Sequence, residues 1–327
     1  MTTPDWHAEI EAAAARIAPH VRRTPVAGIA GFGLDFPVEV KLEHLQHTGS
    51  FKARGAFNTL LSGPVPAAGL VAASGGNHGA AVAYAARALG HRARIYVPEL
   101  AGPAKIALIR DLGADLVVVP GAYGDALAAA RAWEAETGAM QIHAYDAPAT
   151  VAGQGTVLRE WEAQGLAADT VLIAVGGGGL IAGAMAWLAG RRKVVAVEPE
   201  RAPTLNRALA EGPAHEVEVS GIAANALGAR RIGRICYDLA RDQGIDSVLV
   251  SDAAIASAQR ALWQEARLLV EPAGATALAA LMAGAYRPAP GERVAVLLCG
   301  GNVDPDPLGP GRGGAAPSRS PGVVAER

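Results

Sequence analysis

The chain alternates between short apolar runs and longer alanine-rich stretches. Runs rich in β-branched residues, which predict strands, include 38–40, 94–97, 115–119, 170–175, 193–197 and 293–298. Several of them are apolar on both faces, as parallel strands covered by helices are. Helix-like stretches include 80–89, 103–112, 124–137, 180–189 and 252–268, and glycine often marks their ends. This alternation predicts an α/β fold with twisted, mostly parallel sheets flanked by helices.

Composition agrees with this picture and narrows the possible partners. The chain has 327 residues, of which 51% are hydrophobic and 18% charged, as in a globular protein with one large or two medium domains. A net charge of -2 and an aromatic content of 5% give no reason to expect nucleic-acid binding. No apolar run reaches the roughly 18 residues that span a bilayer, and the amino terminus lacks the apolar region of a signal peptide. We therefore expect a cytoplasmic protein with neither a nucleic-acid nor a membrane partner.

Lys52 is the first candidate for chemistry. The chain has only four lysines, Lys41, Lys52, Lys105 and Lys193, and arginine carries the other positive charges. Lys52 lies between Phe51 and a predicted helix start. A lysine where arginine is the habit suggests an amine that loses its proton and forms a Schiff base, which a guanidinium cannot do. On its own, however, Lys52 fits a solvated surface lysine better.

Three glycine-rich turns follow predicted strands. The residues are Ser74, Gly75, Gly76, Asn77 and His78 in the first turn, Gly176, Gly177, Gly178 and Gly179 in the second, and Cys299, Gly300, Gly301 and Asn302 in the third. Backbone N–H groups at a turn that opens a helix form an anion site. The first turn suits a carboxylate, and the second can wrap a phosphate with no Cβ in the way. The third lies at the sheet edge where ligands bind.

These turns also permit other interpretations. The second turn, with Glu198 about 20 residues later, has the spacing of a dinucleotide fingerprint and its ribose-binding acid. A nicotinamide-dependent dehydrogenase is therefore an alternative, although it leaves Lys52 unexplained. His78 fits a structural histidine at a helix start. Cys299 fits a small buried core residue, and its distance in sequence from Cys236 argues against a disulfide framework or a zinc site.

Taken in order, five motifs resemble the fold type II pyridoxal-phosphate enzymes, specifically the serine/threonine dehydratase group. They are Ser50-Phe51-Lys52, the turn from Ser74 to His78, the turn from Gly176 to Gly179, Glu271-Pro272-Ala273-Gly274-Ala275, and the turn from Cys299 to Asn302. The resemblance covers about 24–303. It implies a two-domain fold like that of the tryptophan synthase β chain, with the cofactor between the domains. The large domain is expected at 1–69 and 146–303 and the small inserted domain at 70–145, whereas 304–327 are predicted to be disordered.

The resemblance also implies a role for each motif. Lys52 would form the Schiff base with pyridoxal 5'-phosphate, and Phe51 would lie beside the cofactor. Gly176, Gly177, Gly178 and Gly179 would bind its phosphate. Asn77 would bond its ring oxygen, and Cys299 would face its pyridine nitrogen with Glu271 behind it. Ser74, Gly75, Gly76, Asn77 and His78 would hold the substrate carboxylate.

The implied reaction is a β-elimination that converts L-threonine or L-serine to a 2-oxo acid and ammonia, with Lys52 removing the Cα proton. Another β-hydroxy amino acid such as 3-hydroxyaspartate stays open. Racemisation is disfavoured, because Gly75 replaces a serine that acts on the opposite face in racemases. A protein that binds the cofactor without turnover is a further alternative. Family habit suggests a homodimer.

A divalent cation is the remaining cofactor question. Cation-activated relatives bind metal near the position of Glu198, with a second carboxylate a few residues later. Thr204 occupies that second place here, and one carboxylate is a weak site for a hard cation. Glu198 is therefore a possible metal ligand, but a bound metal is not a firm expectation. The regulatory domain of biosynthetic threonine dehydratases is not expected either, because the sequence ends soon after the last motif.

Overall fold

The computed structural model describes residues 4–101, 103–121 and 123–303. The segment predicted to be disordered, 304–327, lies outside these residues. Within them, the strands are β1 (Val26–Gly31), β2 (Leu34–Lys41), β3 (Leu70–Ala73), β4 (Ala93–Pro98), β5 (Asp115–Val119), β6 (Met140–Gln141), β7 (Thr170–Ala174), β8 (Lys193–Pro199), β9 (Asp246–Val250) and β10 (Val294–Leu297).

Twelve α-helices are described in the same residues. They are α1 (Trp6–Ile17), α2 (Lys52–Leu61), α3 (Asn77–Ala88), α4 (Pro103–Asp111), α5 (Tyr123–Thr137), α6 (Pro148–Ala163), α7 (Gly179–Leu188), α8 (Thr204–Glu211), α9 (Ala224–Leu227), α10 (Arg234–Gln243), α11 (Asp252–Ala266) and α12 (Pro272–Met282). The predicted α/β class is confirmed, and the predicted strand and helix segments coincide with elements of the structure.

The strands form two sheets. The larger has the order β1-β2-β10-β7-β8-β9, and the smaller has the order β5-β4-β3-β6. All pairings are parallel except that of β1 with β2. The smaller sheet uses strands between 70 and 141 only, which supports an inserted unit there. The exact division into two domains stays a prediction.

The antiparallel β1–β2 pair was not anticipated from the sequence. Its turn contains Gly31, Phe32 and Gly33, all with positive φ. Phe32 is a non-glycine residue in this left-handed region, and its N–H donates to the Glu265 carboxylate at 2.8 Å. A contact more than 200 residues away in sequence therefore helps hold a turn that local sequence did not reveal.

Two helices fill the core of the larger sheet. Every residue of α7 is buried, and α12 is buried from Ala273 to Leu281. Such helices are apolar all round because protein covers them on every side. Helix α7 packs against α6, α10, β7 and β8, and α12 packs against α11 and the strands β7 to β10. Both helices begin next to segments that carry candidate site residues. Within the described part of the chain, no helix is long and apolar enough to cross a membrane.

Candidate functional site

A cavity lies where several predicted motifs converge at the carboxyl end of the larger sheet. Its lining consists of Phe51, Lys52, Asn77, Tyr145, Ala174, Gly176, Gly177, Gly178, Gly179, Leu180, Ala226, Leu227, Glu271, Ala273 and Cys299. All five predicted motifs contribute to it, and they come from distant parts of the chain. This is the location that a parallel α/β sheet offers to ligands.

Lys52 is the first residue of α2, and its amine points into protein. The Nζ atom donates to the carbonyl oxygen of Ala144 at 2.8 Å. Burial lowers the Lys52 pKa to about 8, against the opposing effects of Cys299 and Glu271, which raise it. An amine with that pKa is partly neutral near physiological pH, so it can act as a nucleophile or a base.

The four-glycine turn leaves β7 and enters α7. A Cβ at Gly177 would overlap the ring of Tyr145, and one at Gly178 would lie 2.5 Å from the Cys236 sulfur. Gly178 also has φ +92°, where side chains are strained. A Cβ at Gly176 or Gly179 would likewise meet protein atoms at 2.9 Å. The absence of side chains is therefore required here, and the turn presents backbone amides beside the α7 N-terminus to an anion.

The turn from 74 to 78 joins β3 to α3. The Gly76 N–H donates to the Ser74 hydroxyl at 3.2 Å, and Gly76 caps α3 with extended backbone. Asn77, the first residue of α3, is the member of this turn that lines the cavity. The arrangement suits an anion at a helix N-terminus, as the sequence predicts.

The His78 side chain does not take part in this anion site. Its Nε2 atom lies 2.9 Å from the carbonyl oxygen of Ile142. Burial, with a smaller contribution from the nearby Lys52 charge, lowers the His78 pKa to about 3. The ring is therefore neutral at physiological pH and joins α3 to the chain after β6. The structural interpretation of His78 describes its side chain better, and only its backbone remains suited to a carboxylate.

Asn77, Glu271 and Cys299 form the far wall of the cavity. Asn77 Nδ2 donates to Glu271 Oε1 at 2.5 Å. Cys299 is buried, and burial and the Glu271 carboxylate raise the pKa of its thiol well above the ordinary range. The Phe51 N–H donates to the Cys299 carbonyl at 3.2 Å, so the wall and the Lys52 segment are joined directly.

Tyr145 is a cavity residue that sequence reasoning missed. Its ring covers Gly177, and its hydroxyl donates to the carbonyl oxygen of Arg231 at 3.3 Å. Burial is the largest cause that raises the Tyr145 pKa to about 12. The neighbouring Asp146 accepts from the Ile235 N–H at 3.0 Å, near the start of α10. The contacts of Tyr145 and Asp146 are with segments far along the chain, so local sequence carried no signal for them.

A buried ionic cluster beneath α2 was also missed. Arg54 donates to both Glu43 oxygens, at 2.7 and 3.0 Å, and to Glu160 at 3.0 Å. Lys41 is fully buried and donates to Glu160 at 2.6 Å. Because Arg54 lies two residues beyond Lys52, the cluster anchors the start of α2.

The Glu198 carboxylate forms its hydrogen bonds inside the protein. It is fully buried, and its oxygens accept from the N–H groups of Leu205 at 2.7 Å and Asn206 at 2.8 Å, in the first turn of α8. Burial raises the Glu198 pKa to about 7. Among the described residues, no three His, Cys, Asp or Glu side chains are grouped so that they could hold a metal ion. Because both Glu198 oxygens already accept hydrogen bonds inside the protein, the carboxylate is not available to bind a nucleotide ribose. This argues against the dehydrogenase alternative.

Comparisons with known proteins agree with this geometry. The pyridoxal-phosphate dependent enzyme family matches residues 17–300. Phenylserine dehydratase of Ralstonia pickettii is 39% identical over 310 residues, covering 93% of this chain and 94% of that protein. L-threonine ammonia-lyase of Geobacter sulfurreducens is 36% identical, covering 90% of this chain and 75% of that protein.

Solved structures show the same relationship. The threonine deaminase of T.th. superposes with a TM-score of 0.84 at 38% identity, covering 92% of this chain and 99% of the other. Maize serine racemase superposes with a TM-score of 0.85 at 31% identity, covering 91% and 94%. The chain belongs to the pyridoxal-phosphate dependent enzyme family. Its fold is the predicted fold type II, and pyridoxal 5'-phosphate is its cofactor.

The cavity fits that cofactor. It offers a half-buried amine with a lowered pKa at Lys52, which suits an aldehyde. It also offers a turn, from Gly176 to Gly179, in which any Cβ would meet protein atoms, which suits a phosphate. These two features face one cavity, so both ends of one cofactor can be bound there.

Proposed function

We propose that the protein is an ammonia-lyase that dehydrates and deaminates L-threonine or L-serine to a 2-oxo acid and ammonia. The observation that carries the proposal is the half-buried Lys52 amine, with its pKa near 8, in the same cavity as the four-glycine turn. The similarity to L-threonine ammonia-lyase over 90% of the chain supports this substrate class.

Lys52 would hold the cofactor and then act on the substrate. When bound, pyridoxal phosphate withdraws electrons from the substrate Cα and so makes its proton acidic. Once the substrate amine has taken its place, Lys52 is free to accept that proton. A pKa of about 8 makes it a competent base near neutral pH. The carbonyl of Ala144 keeps the free amine in place.

The other motif residues would bind and orient. Gly176, Gly177, Gly178 and Gly179 supply amides for the phosphate. Phe51 and Asn77 line the cavity, so Phe51 would border the cofactor and Asn77 would offer an amide to its ring oxygen. Backbone groups of the turn from Ser74 to His78 receive the substrate carboxylate at the N-terminus of α3. These assignments match those implied by the sequence motifs.

Cys299 would face the pyridine nitrogen. Because burial and Glu271 keep its thiol neutral, Cys299 would offer that nitrogen a weak donor rather than a strong acid, in place of the Ala273 carbonyl that the sulfur contacts at 3.5 Å. A ring nitrogen that is not firmly protonated withdraws electrons less strongly. We infer that this favours rapid elimination over transamination, as expected for a dehydratase.

Racemisation is disfavoured by the packing at Gly75. This residue has no proton to give, and a Cβ built on it would overlap the Ala101 methyl group and lie 3.1 Å from a Val97 methyl group. A hydroxyl-bearing side chain therefore does not fit at position 75 without movement of the segment after β4. The acid–base chemistry is therefore assigned to Lys52, on one face of the substrate.

A β-aryl amino acid such as phenylserine is a second candidate substrate. The similarity to phenylserine dehydratase over 93% of the chain supports it. A structural observation does as well. His143 and Tyr145 pack edge to face, with ring centroids 5.0 Å apart, and they flank in sequence Ala144, whose carbonyl accepts from Lys52. Two aromatic rings therefore adjoin the residue that bonds the reactive amine.

A substrate panel tests the proposal. Purified protein saturated with pyridoxal phosphate is incubated with L-threonine, L-serine, phenylserine and 3-hydroxyaspartate, and ammonia and 2-oxo acid are measured. We expect both products from L-threonine or L-serine, and none from a Lys52→Ala variant. Faster turnover of phenylserine would select the second candidate. A cofactor-loaded protein that releases no ammonia from any of them would instead be a binding protein without turnover.

The homodimer and the cytoplasmic location stay predictions. The amino-acid substrate class is the one partner supported by family membership. No metal is assigned to the reaction, since the Glu198 oxygens already accept hydrogen bonds from the start of α8.

A further inference from the structure

We propose that Asn302 is a positioning residue for the cofactor site. Together with Glu271, its side chain fixes the orientation of the Asn77 amide, and so leaves an Asn77 N–H group for the cavity. Asn302 belongs to the third glycine-rich turn, and no role was expected for its side chain. The inference rests on the proposed contact between Asn77 and the cofactor.

The orientation of Asn302 is fixed by a backbone carbonyl. Its Nδ2 atom donates to the Thr48 carbonyl oxygen at 2.8 Å and to Asn77 Oδ1 at 2.8 Å. A carbonyl oxygen accepts and never donates, so the amide nitrogen must be the atom that faces Thr48. Both Nδ2 hydrogens are then used, one by each acceptor. Asn302 can therefore meet Asn77 only as a donor.

That donor fixes the orientation of Asn77 in turn. Asn77 Oδ1 accepts from Asn302, which directs Asn77 Nδ2 to Glu271 Oε1 at 2.5 Å. The Glu271 carboxylate is also an acceptor only. Both neighbours thus demand the same orientation. Since Nδ2 carries two hydrogens and Glu271 takes one, the other is left for the cavity that Asn77 lines.

Backbone hydrogen bonds hold the Asn302 turn against the segment that precedes Lys52. The Gly301 N–H donates to the Gly49 carbonyl at 2.8 Å, and Ser50 pairs with Gly300 across an antiparallel bridge. A Cβ at Gly49 would lie 2.5 Å from Asn302 Oδ1, so the Asn302 side chain is closely packed. The segment that carries Lys52 and the first residue of α3 are therefore joined through one amide.

Two substitutions separate donation from space-filling. Asn302→Asp keeps the shape but places an acceptor against the Thr48 carbonyl and Asn77 Oδ1. Asn302→Ala removes the group. If donation matters, Asp is worse than Ala: we expect Ala to weaken pyridoxal-phosphate affinity about tenfold and Asp to weaken it further. Both should alter the absorption maximum of the bound cofactor. If Asn302 only fills space, the order reverses.

The experiment is an equilibrium titration of apo-protein with pyridoxal phosphate, followed by absorbance, with Asn77→Ala and the double variant Asn77→Ala/Asn302→Ala included. Exposed Gln264 supplies a matched amide-to-carboxylate control, Gln264→Glu, which should behave as wild type. Thermal unfolding of each apo-protein reports general damage. We expect Asn302→Ala to add little in the Asn77→Ala background, because it acts through Asn77.

Two outcomes would overturn the inference. One is an Asn302→Asp variant with wild-type affinity and spectrum. The other is a full Asn302→Ala effect that persists without Asn77. A normal cofactor affinity in Asn77→Ala alone would instead overturn the proposed Asn77 contact, so the two failures are distinguishable.

Discussion

The Nζ atom of Lys52 lies 2.8 Å from the carbonyl oxygen of Ala144. Lys52 begins α2, whereas Ala144 follows β6, an edge strand of the smaller sheet. The hydrogen bond therefore connects the amine to the chain that leads out of the smaller sheet. Because a carbonyl accepts from a neutral or a protonated amine, the contact holds Nζ in both states.

Replacing Lys52 should abolish turnover. Both Lys52→Ala and Lys52→Arg should lose about 10³-fold or more in kcat/KM for the best substrate, since a guanidinium keeps the charge but cannot give up its proton. Release of 2-oxo acid measures this. Substantial activity in Lys52→Arg would contradict a role as base.

The Lys52 environment also predicts a pH dependence of apo-protein stability. Its folded pKa, about 8, lies below the ordinary 10.5. Between these values the unfolded chain binds more protons, so the free energy of unfolding gains from Lys52 as pH rises from 8 to 10.5, by at most about 3 kcal/mol. Denaturant unfolding of wild type and Lys52→Ala across this window checks it. A stability difference between the two that does not change with pH would contradict a buried amine.

Gly177→Ala should damage both the fold and cofactor binding. The added methyl group would overlap the Tyr145 ring, and such overpacking typically destabilises by about 1–3 kcal/mol. The matched control is Gly28→Ala, where a Cβ would meet no atom within 4 Å and the change should stay within about 0.5 kcal/mol. Denaturant unfolding and cofactor titration give the two readouts. Equal behaviour of both variants would show that the glycine turn is not sterically restricted.

Gly75→Ser should not create a racemase. The serine side chain would meet Ala101 and Val97, so we expect lower stability and no D-isomer in the remaining substrate. Chiral chromatography of the reaction mixture measures this. The double variant Gly75→Ser/Ala101→Gly removes the nearest obstacle and should recover stability. Formation of D-isomer by the single variant would show that position 75 has room for an acid.

Much of the site could be predicted because its motifs are local. Lys52, Asn77 and the four glycines each follow a strand or open a helix, and backbone chemistry at such places is readable from residue type. The turns after β7 and β10 converge because these parallel strands end at the same edge of the larger sheet, whereas the turn after β3 reaches them from the smaller sheet. Five short motifs in a fixed order were enough for the family.

What could not be predicted depends on packing between distant segments. Tyr145 reaches Gly177 only because the chain after β6 returns to the larger sheet. The two amides at the start of α8 that donate to Glu198 could not be read from the sequence either. The His78 ring likewise contacts the carbonyl oxygen of Ile142, a residue distant from it in sequence. The sequence shows which polar groups are present, but not which neighbouring residues form hydrogen bonds with them.

The most direct test of the central claim is the identity of the lysine that carries the cofactor. Borohydride reduction of the holoenzyme fixes pyridoxal phosphate on its lysine, and peptide mass spectrometry then locates the modified residue. With four lysines in the chain, the assignment is unambiguous. We expect a stoichiometric phosphopyridoxyl group on Lys52. Labelling of Lys41, Lys105 or Lys193 instead, or of no lysine, would contradict it.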